Sequence, residues 1–414
     1  MRLPPALKHR RFFFLWLGLL ISISGTQMQI WTLFWHVREL TDQPVALGGI
    51  GAARILPIIV FSLIAGVLAD LYDRRAILFV TQTAAALLAL TLGLLTDFGY
   101  ISLWHIYALT ALQAVTVAFD VPARQALVPN LVPLEDLPNA FSLTSIAFET
   151  GSILGPALSG LMIASGGLES VYYFNAASYL AVIVALILLG NVPQKKDVSH
   201  EKRVSSSAIR EGIRFILGKP IIFSTMLLDF IATFFASANT LMPIVARDIL
   251  KVGVVEYGWL SAAASIGAVT AALVVSQVRQ LRRQGALFLG AVVVFGAATA
   301  LFGLSRQFVL AWCALSLTGA ADSVSTIIRN TIRQLQTPDE MRGRMTSVNQ
   351  IFFQGGPQLG EIEAGLVAQF FGAPFAIVSG GIGCILGVFW VIGKWPHILR
   401  YNGDEPMLAG ATAD

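Results

Sequence analysis

The sequence has few of the residues with which soluble enzymes and secreted domains build their sites. Two cysteines and five histidines occur among 414 residues, and 13% of the residues are charged. Cys313 and Cys384 both fall inside apolar stretches, which excludes a disulfide framework. The sequence also lacks a phosphate-binding glycine loop, a nucleophile elbow and the spacing of metal ligands. We therefore expect a protein that is not an enzyme and that holds no metal or cofactor.

What the sequence does have is long apolar stretches, which account for its 56% of hydrophobic residues. Each stretch is about 20 residues long, the length that an α-helix needs to cross a bilayer. Because backbone groups in lipid need internal partners, each stretch must be helical. We expect an all-α membrane protein with twelve transmembrane helices, at residues 12–35, 46–69, 75–96, 103–122, 139–165, 171–190, 220–244, 257–277, 285–304, 308–328, 345–371 and 374–393.

The positive charges predict how these helices are oriented. If both termini are cytoplasmic, most of the 28 lysines and arginines lie on the cytoplasmic side, and the opposite side holds Arg38, Arg247, Lys251 and Arg306. Cytoplasmic loops of membrane proteins carry such an excess. We therefore expect a multi-pass protein of the bacterial inner membrane with both termini in the cytoplasm. The net charge of +4 then faces anionic lipid, and no nucleic-acid partner is needed to explain it.

The two halves of the sequence resemble each other. A shift of 205 positions places Arg124 on Arg329 and Gly151 on Gly356, with further matches in the same region. Duplicated six-helix units are common in secondary transporters, which hold their substrate between the two halves. We expect a monomer with two pseudo-symmetric six-helix bundles, at residues 1–190 and 220–414, joined by a cytoplasmic linker at 191–219. Part of that linker is either a short helix on the membrane surface or a partly ordered chain.

The loop between spans 2 and 3 carries a motif formed by Gly66, Asp70, Arg74 and Arg75. A cytoplasmic turn with positive charges would explain the two arginines but not Gly66 and Asp70 at this spacing. The motif resembles the loop signature of the major facilitator superfamily, from which it departs by a leucine after Asp70 and by Asp73 in place of a glycine. The resemblance implies the major facilitator fold, with the carboxylate at position 70 docking against span 11 to stabilise the outward-facing state.

Two further charged residues, Asp120 and Arg124, lie toward the cytoplasmic end of span 4. We expect them to join Asp70 in a charge cluster that latches a gate and does not carry protons. The sequence from Asp120 to Arg124 also resembles one branch of the superfamily, which includes enterobactin exporters and macrolide efflux proteins.

Span 5 places Gly151, Gly155, Pro156 and Gly160 along one helical stripe. Small residues at this spacing ordinarily allow tight helix packing in lipid, which is the structural interpretation. The stripe also resembles an element of drug/proton antiporters in the same superfamily, although it is shorter by one glycine. That resemblance favours export over import.

Four carboxylates lie deep inside predicted spans, where an ionisable side chain is costly and indicates function, whereas Asp120 and Asp322 lie toward the cytoplasmic ends of spans 4 and 10. We consider them candidates for proton coupling in the order Glu149, Asp229, Glu361 and Glu363. Glu149 comes first because it lies near the middle of span 5, one turn before the glycine stripe. An ion pair between Arg54 and either Glu361 or Glu363 is an equally good structural explanation for those two glutamates.

Polar and aromatic residues mix within several spans and suit a cavity for a large amphipathic ligand. The candidates for contact with the substrate are Gln27, Trp31, Arg54, Phe234, Asn239, Asn349 and Phe353. Each of these residues could instead pack against a neighbouring helix or lipid.

Together these features favour a proton-coupled exporter of amphipathic compounds, such as drugs, macrolides or siderophores, that works by alternating access. The partners expected for it are a small amphipathic molecule, protons and the lipid bilayer. An importer or a lysophospholipid transporter on the same fold is the alternative within transport. A membrane receptor without transport is a further alternative, although the longest loop offers no sizeable soluble domain.

Overall fold

The computed structural model describes residues 4–192, 206–236, 238–278 and 282–403. Within these ranges the chain is helical apart from short connections, and no strand occurs there. The long helices are Arg10–Leu40, Pro44–Leu71, Arg74–Asp97, Leu103–Leu127, Leu137–Leu189, Ser206–Leu217, Pro220–Phe235, Val254–Ser276, Gln284–Leu304, Phe308–Gln336, Asp339–Phe371 and Ala373–Lys394.

Twelve stretches of these helices correspond to the predicted spans. Ten helices in the described part of the chain are long and apolar enough to cross a membrane. The helix Leu137–Leu189 has 53 residues and breaks at Gly167, where φ is 78°. It therefore supplies both span 5 and span 6, because glycine tolerates this left-handed backbone. The helix Asp339–Phe371 supplies span 11. We number the spans 1–12 in chain order.

Span 7 is less regular than its sequence predicts. The α-helix Pro220–Phe235 is followed by a 3-10 turn at Ala238–Leu241 and a short α-helical turn at Met242–Ile244. A π-helical turn, Val245–Ile249, then leads to the connection with span 8. Such short 3-10 and π segments often mark functional positions in helices.

Residues 1–201 and 251–262 form one compact unit, which we call the first unit. Its helices approach closely where glycines remove side chains. A methyl group at Gly18 in span 1 would lie 2.9 Å from the carbonyl oxygen of Ala181 in span 6. One at Gly49 in span 2 would lie 2.6 Å from the hydroxyl oxygen of Tyr107 in span 4. Close van der Waals packing at such glycines therefore helps to hold the first unit together, as is usual for helices in lipid.

Residues 202–250 and 263–414 form the second unit. Spans 9 and 12 meet at Gly296 and Gly381, where a methyl group on Gly296 would lie 2.6 Å from the carbonyl oxygen of Gly381. The helix Ser206–Leu217 buries Ile216 in a cluster with Met345 and Val348 of span 11. Residues 193–205 of the predicted linker lie outside the described residues.

Candidate functional site

The loop between spans 2 and 3 is fixed by three polar side chains. Asp73 caps the start of span 3, since its carboxylate accepts hydrogen bonds from the backbone N–H groups of Arg75 and Ala76. Arg74 donates to the carbonyl oxygen of Ala126 at 2.9 Å, and Arg75 donates to that of Leu186 at 2.7 Å.

Ala126 and Leu186 lie in the last turns of spans 4 and 6. Carbonyl groups there lack intrahelical partners and carry the negative end of the helix dipole, so a guanidinium stabilises them. The motif therefore connects three helices of the first unit. The side chains of Gly66 and Asp70 lie outside the described part of the structure.

Asp120 is buried within the first unit, where its carboxylate accepts two hydrogen bonds and forms an ion pair. Gln82 donates to its carboxylate at 2.6 Å and Thr81 at 3.4 Å, both from span 3. Arg124 lies one turn further along the same helix, with its Nε 3.4 Å from the other carboxylate oxygen. These contacts join span 3 to span 4, while the expected link to Asp70 falls outside the described side chains.

The glycine stripe of span 5 packs against span 1 and against the start of span 8. A methyl group at Gly151 would lie 2.8 Å from a methyl carbon of Ile23, and one at Gly155 would lie 2.6 Å from Cβ of Gln27. Gly160 faces residues 254–258, with the Cα of Gly258 3.1 Å from its own methyl position. All four stripe residues, including Pro156, are buried. The packing interpretation of the stripe therefore describes its contacts.

Glu149 precedes this stripe by two residues and is exposed in the first unit, near the middle of span 5. Gln27, a predicted cavity residue of span 1, donates to the hydroxyl of Ser152 at 3.1 Å. Span 5 thus presents a carboxylate and a hydroxyl close together along the helix, while its glycines fix it to span 1.

Trp31 lies one turn after Gln27 in span 1, against a residue that sequence reasoning did not single out. The hydroxyl of Tyr257, from the start of span 8, donates to the carbonyl oxygen of Trp31 at 2.9 Å. The Tyr257 ring lies 4.9 Å from Trp35 and 6.3 Å from Trp31 between ring centres, and it is fully buried. Trp31 is therefore a packing residue as well as a candidate for substrate contact.

Two groups of neutral polar side chains join spans 1, 4 and 6 inside the first unit. Asn175 donates to Gln29 at 2.7 Å, and both side chains are buried. The hydroxyl of Tyr179 lies 3.0 Å from that of Thr26 and accepts a hydrogen bond from Gln113 at 2.6 Å. These hydrogen bonds give most of the buried polar atoms a partner, as is usual where water is absent, whereas Oε1 of Gln113 has none among the described residues.

The second unit contains a buried ion pair. Asp229 of span 7 is 5% exposed and contacts Arg329 of span 10, which is 2% exposed. A second guanidinium nitrogen of Arg329 donates to the hydroxyl of Thr326 at 3.0 Å. Asp229 is thus a predicted coupling residue that is held directly by a positively charged partner.

Arg333 follows Arg329 by one turn and is also buried. It donates to the side-chain oxygens of Asn330 and Asn349. From sequence we placed Arg329 and Arg333 in a cytoplasmic connection after a span ending at residue 328. The helix of span 10 is longer than that prediction, because it continues to Gln336 and both arginines lie within it.

The remaining predicted residues are spread over both units. Arg54 is half-buried in span 2 of the first unit; Glu361 is buried and Glu363 half-buried in span 11 of the second. Phe234 stacks on Phe230 at 6.0 Å between ring centres. In addition, Asn239 is exposed in the turn after span 7, and the side chain of Phe353 lies outside the described part of the structure. The described residues contain no group of histidine, cysteine and acidic side chains that could hold a metal ion.

An apolar groove of about 300 Å³ runs between spans 1 and 6 of the first unit. Its walls are aliphatic and aromatic, from Phe14 and Leu17 to Leu188, and no predicted site residue lines it. We therefore place the candidate site at the polar residues described above and not at this groove.

Comparison with known proteins gives consistent matches over nearly the whole chain. Residues 3–397 match the family described as transmembrane secretion effector. The enterobactin exporter EntS of Shigella boydii serotype 4 (strain Sb227) is 29% identical over 398 residues, covering 96% of this chain and 92% of that protein. EntS of Escherichia coli (strain SMS-3-5 / SECEC) is 28% identical over 352 residues, covering 85% and 83%.

Solved structures show the same fold at low sequence identity. A bacterial homologue of the human lysosomal transporter Spinster, inward-facing and unoccupied, has a TM-score of 0.73 at 14% identity, covering 96% of this chain and 97% of that one. The nucleoside transporter NupG has a TM-score of 0.69 at 12% identity, covering 94% and 99%. The expected fold class, twelve transmembrane helices in two six-helix bundles, is confirmed.

Proposed function

Because the chain belongs to the transmembrane secretion effector family of the major facilitator superfamily, we propose that it is a proton-coupled exporter of amphipathic compounds. The protein is a multi-pass membrane transporter and not an enzyme. Its similarity to proteins named enterobactin exporters supports the outward direction and, among the proposed substrates, a siderophore. The resemblance of the span 5 stripe to antiporters supports the same direction.

The transporter works as a monomer in the inner membrane, with both termini in the cytoplasm. This orientation follows from the excess of lysine and arginine in alternate connections. Transport proceeds by alternating access of a central site, as in other proteins built from two related bundles. The motif of Gly66, Asp70, Arg74 and Arg75 latches the inner gate. Its two arginines already connect the ends of spans 4 and 6.

The observation that carries the coupling part of the proposal is a buried carboxylate inside a span. Asp229 is held by Arg329, and a charge of this kind in a membrane is retained for function. Glu149 remains the first candidate for carrying the proton, because it lies near the middle of span 5, directly before the glycine stripe, and its side chain is exposed. Glu361 and Glu363 are the remaining candidates.

The experiment that tests coupling begins with an efflux-deficient bacterium grown on a panel of compounds, which identifies a transported compound. Its pH-driven uptake into inverted membrane vesicles is then compared between the wild-type protein and Glu149→Gln. We expect the variant to lose uptake, because a glutamine cannot release a proton, and to keep binding of the compound.

The matched control is Glu135→Gln, the same substitution in an exposed turn between spans 4 and 5. It should transport at the wild-type rate. Uptake by Glu149→Gln at the wild-type rate would assign the proton to another carboxylate. Uptake of the compound by intact cells along the same gradient would indicate an importer.

A further inference from the structure

Arg329 has more hydrogen-bond donors than its surroundings use. A guanidinium carries five N–H donors and stays charged in proteins. One terminal nitrogen of Arg329 contacts Asp229 and the other donates to Thr326. Its Nε is buried and has no hydrogen-bond acceptor among the residues that the structure describes. An unpartnered donor on a charged group, in a side chain that is 2% exposed, costs free energy and indicates a missing acceptor.

Arg333 adds a second positive charge next to the first. It is 6% exposed and donates to two neutral amide oxygens, those of Asn330 and Asn349. Asp229 lies in direct contact with Arg329. Asp322 lies two turns earlier on span 10. Asp322 also interacts electrostatically with Arg329, so the two carboxylates balance the charges of the two arginines. The neutral partners of Arg333 and the unused donor of Arg329 therefore indicate that a further acceptor binds here, while the charge count by itself does not.

Arg329 and Asp229 lie well inside their helices and not at the helix ends. Arg329 precedes the end of the helix of span 10 at Gln336 by seven residues, about 10 Å along the helix. Asp229 follows the start of span 7 at Pro220 by nine residues, about 14 Å. The second positive charge is particular to this half, because the first half has Val128 at the position equivalent to Arg333.

We propose that Arg329 and Arg333 form a binding site for the anionic oxygen group of the transported compound, and that Asp229 occupies Arg329 until that group arrives. The site takes a carboxylate, sulfonate or ionised phenol on an otherwise apolar molecule. Arginine suits this role because its planar donors can bind two oxygens of one anion at the same time. The inference rests on the proposed function, since it specifies the charge of the exported substrate.

The test uses 1-naphthoate as the anionic probe and 1-naphthamide as its uncharged counterpart. Binding of each probe to the purified full-length protein, in nanodiscs of phosphatidylcholine, is measured by isothermal titration calorimetry. We expect Arg329→Gln and Arg333→Gln each to weaken naphthoate binding about tenfold or more, as loss of a charge-assisted hydrogen bond predicts. Binding of naphthamide should change less than twofold, roughly the effect of a neutral surface change.

The decisive variant is Asp229→Asn. Removing the internal anion should strengthen naphthoate binding about tenfold, because the probe no longer competes for Arg329. A purely structural ion pair predicts the opposite, since its loss would loosen the site for both probes. Arg306→Gln, an exposed arginine between spans 9 and 10, is the matched control and should leave both affinities unchanged.

Two results would overturn the proposal. One is an equal loss of naphthoate and naphthamide binding in Arg329→Gln and Arg333→Gln. The other is unchanged or weaker naphthoate binding in Asp229→Asn. If Asp229→Asn does not fold, the double variant with Arg329→Gln removes both charges, and it should bind naphthamide normally and naphthoate weakly. Binding is measured without a proton gradient, so this test does not depend on whether transport is coupled to protons. If the protein exports neutral compounds and shows no preference for anionic ones, the anion site is rejected and the proposed function still stands.

Discussion

The internal repeat places an arginine at the same position in the two halves, and the two arginines have different partners. Arg124 of span 4 contacts Asp120 on its own helix, and that carboxylate is shared with Gln82. Arg329 of span 10 contacts Asp229 on span 7, a different helix, and both side chains are almost fully buried. The first pair joins neighbours locally, whereas the second connects distant parts of the sequence and holds charge in the interior.

This difference shows how a duplicated unit acquires distinct roles. An i,i+4 pair can form in any helix and is worth a few tenths of a kcal/mol when it is exposed, by the order of magnitude seen in isolated helices. A buried pair between two helices depends on both partners, because either charge alone would be left in a medium of low dielectric constant. We therefore assign a positioning role to the first-half pair and a functional role to the second-half pair.

The largest expected effect comes from breaking the second-half pair. Asp229→Asn leaves the charge of Arg329 uncompensated, and we expect it to cost about 3–5 kcal/mol of stability. Asp229→Asn combined with Arg329→Gln should recover most of that loss, since neither charge of the pair is then left without its partner. The apparent melting temperature of the detergent-solubilised protein measures both variants. The comparison fails if the double variant is no more stable than the single one.

The corresponding single and double substitutions in the first half should have smaller effects on stability. Asp120→Asn should cost about 1 kcal/mol of stability, because Gln82 can still donate to the remaining amide oxygen and Arg124 is partly exposed. Adding Arg124→Gln should restore little of this stability. Equal costs in the two halves would show that the repeat has kept one common function.

A smaller effect is expected from the helix packing of span 5. Gly155→Ala places a methyl group 2.6 Å from Cβ of Gln27, so spans 1 and 5 must separate, at a cost of about 1–3 kcal/mol. The matched control is Gly290→Ala in span 9, where no atom lies within 4 Å of the new methyl group. Thermal unfolding of the two variants checks the prediction, and equal melting temperatures would contradict it.

The smallest effect is expected at the loop between spans 2 and 3. Asp73→Ala removes the cap of span 3 and should cost about 1 kcal/mol, while Asp73→Asn should restore most of it because an amide oxygen also accepts from backbone N–H groups. Thermal unfolding of both variants measures this difference. Identical losses for alanine and asparagine would mean that the charge of Asp73, and not its cap, stabilises the loop.

Much of the fold could be predicted from sequence, because each span must satisfy its own backbone and repeats the same length of apolar residues. The break at Gly167, for example, falls in the predicted connection between spans 5 and 6. The end of span 10 could not be placed. In a hydropathy plot Arg329 and Arg333 look like charges in a loop. Only their contacts with Asp229, Asn330 and Asn349 show how two buried arginines are stabilised within the longer helix.

Some residues of the candidate site could be predicted from sequence and others could not. A carboxylate inside an apolar stretch, such as Asp229 or Glu149, can be found from sequence, because the free-energy cost of its charge follows from the apolar residues around it in the chain. Tyr257 could not be found, since its hydroxyl is satisfied by the carbonyl of Trp31, 226 residues away. Nothing in the local pattern around Tyr257 distinguishes it from an ordinary aromatic residue of a membrane helix.

The amino-acid sequence by itself determined the membrane location, the number of helices and the family, because these depend on hydrophobic length, charge placement and short motifs. The tertiary structure decided which charges are neutralised and which donors remain unused. Those outcomes depend on side chains that are distant in sequence and meet only after the helices have packed, so no local pattern encodes them.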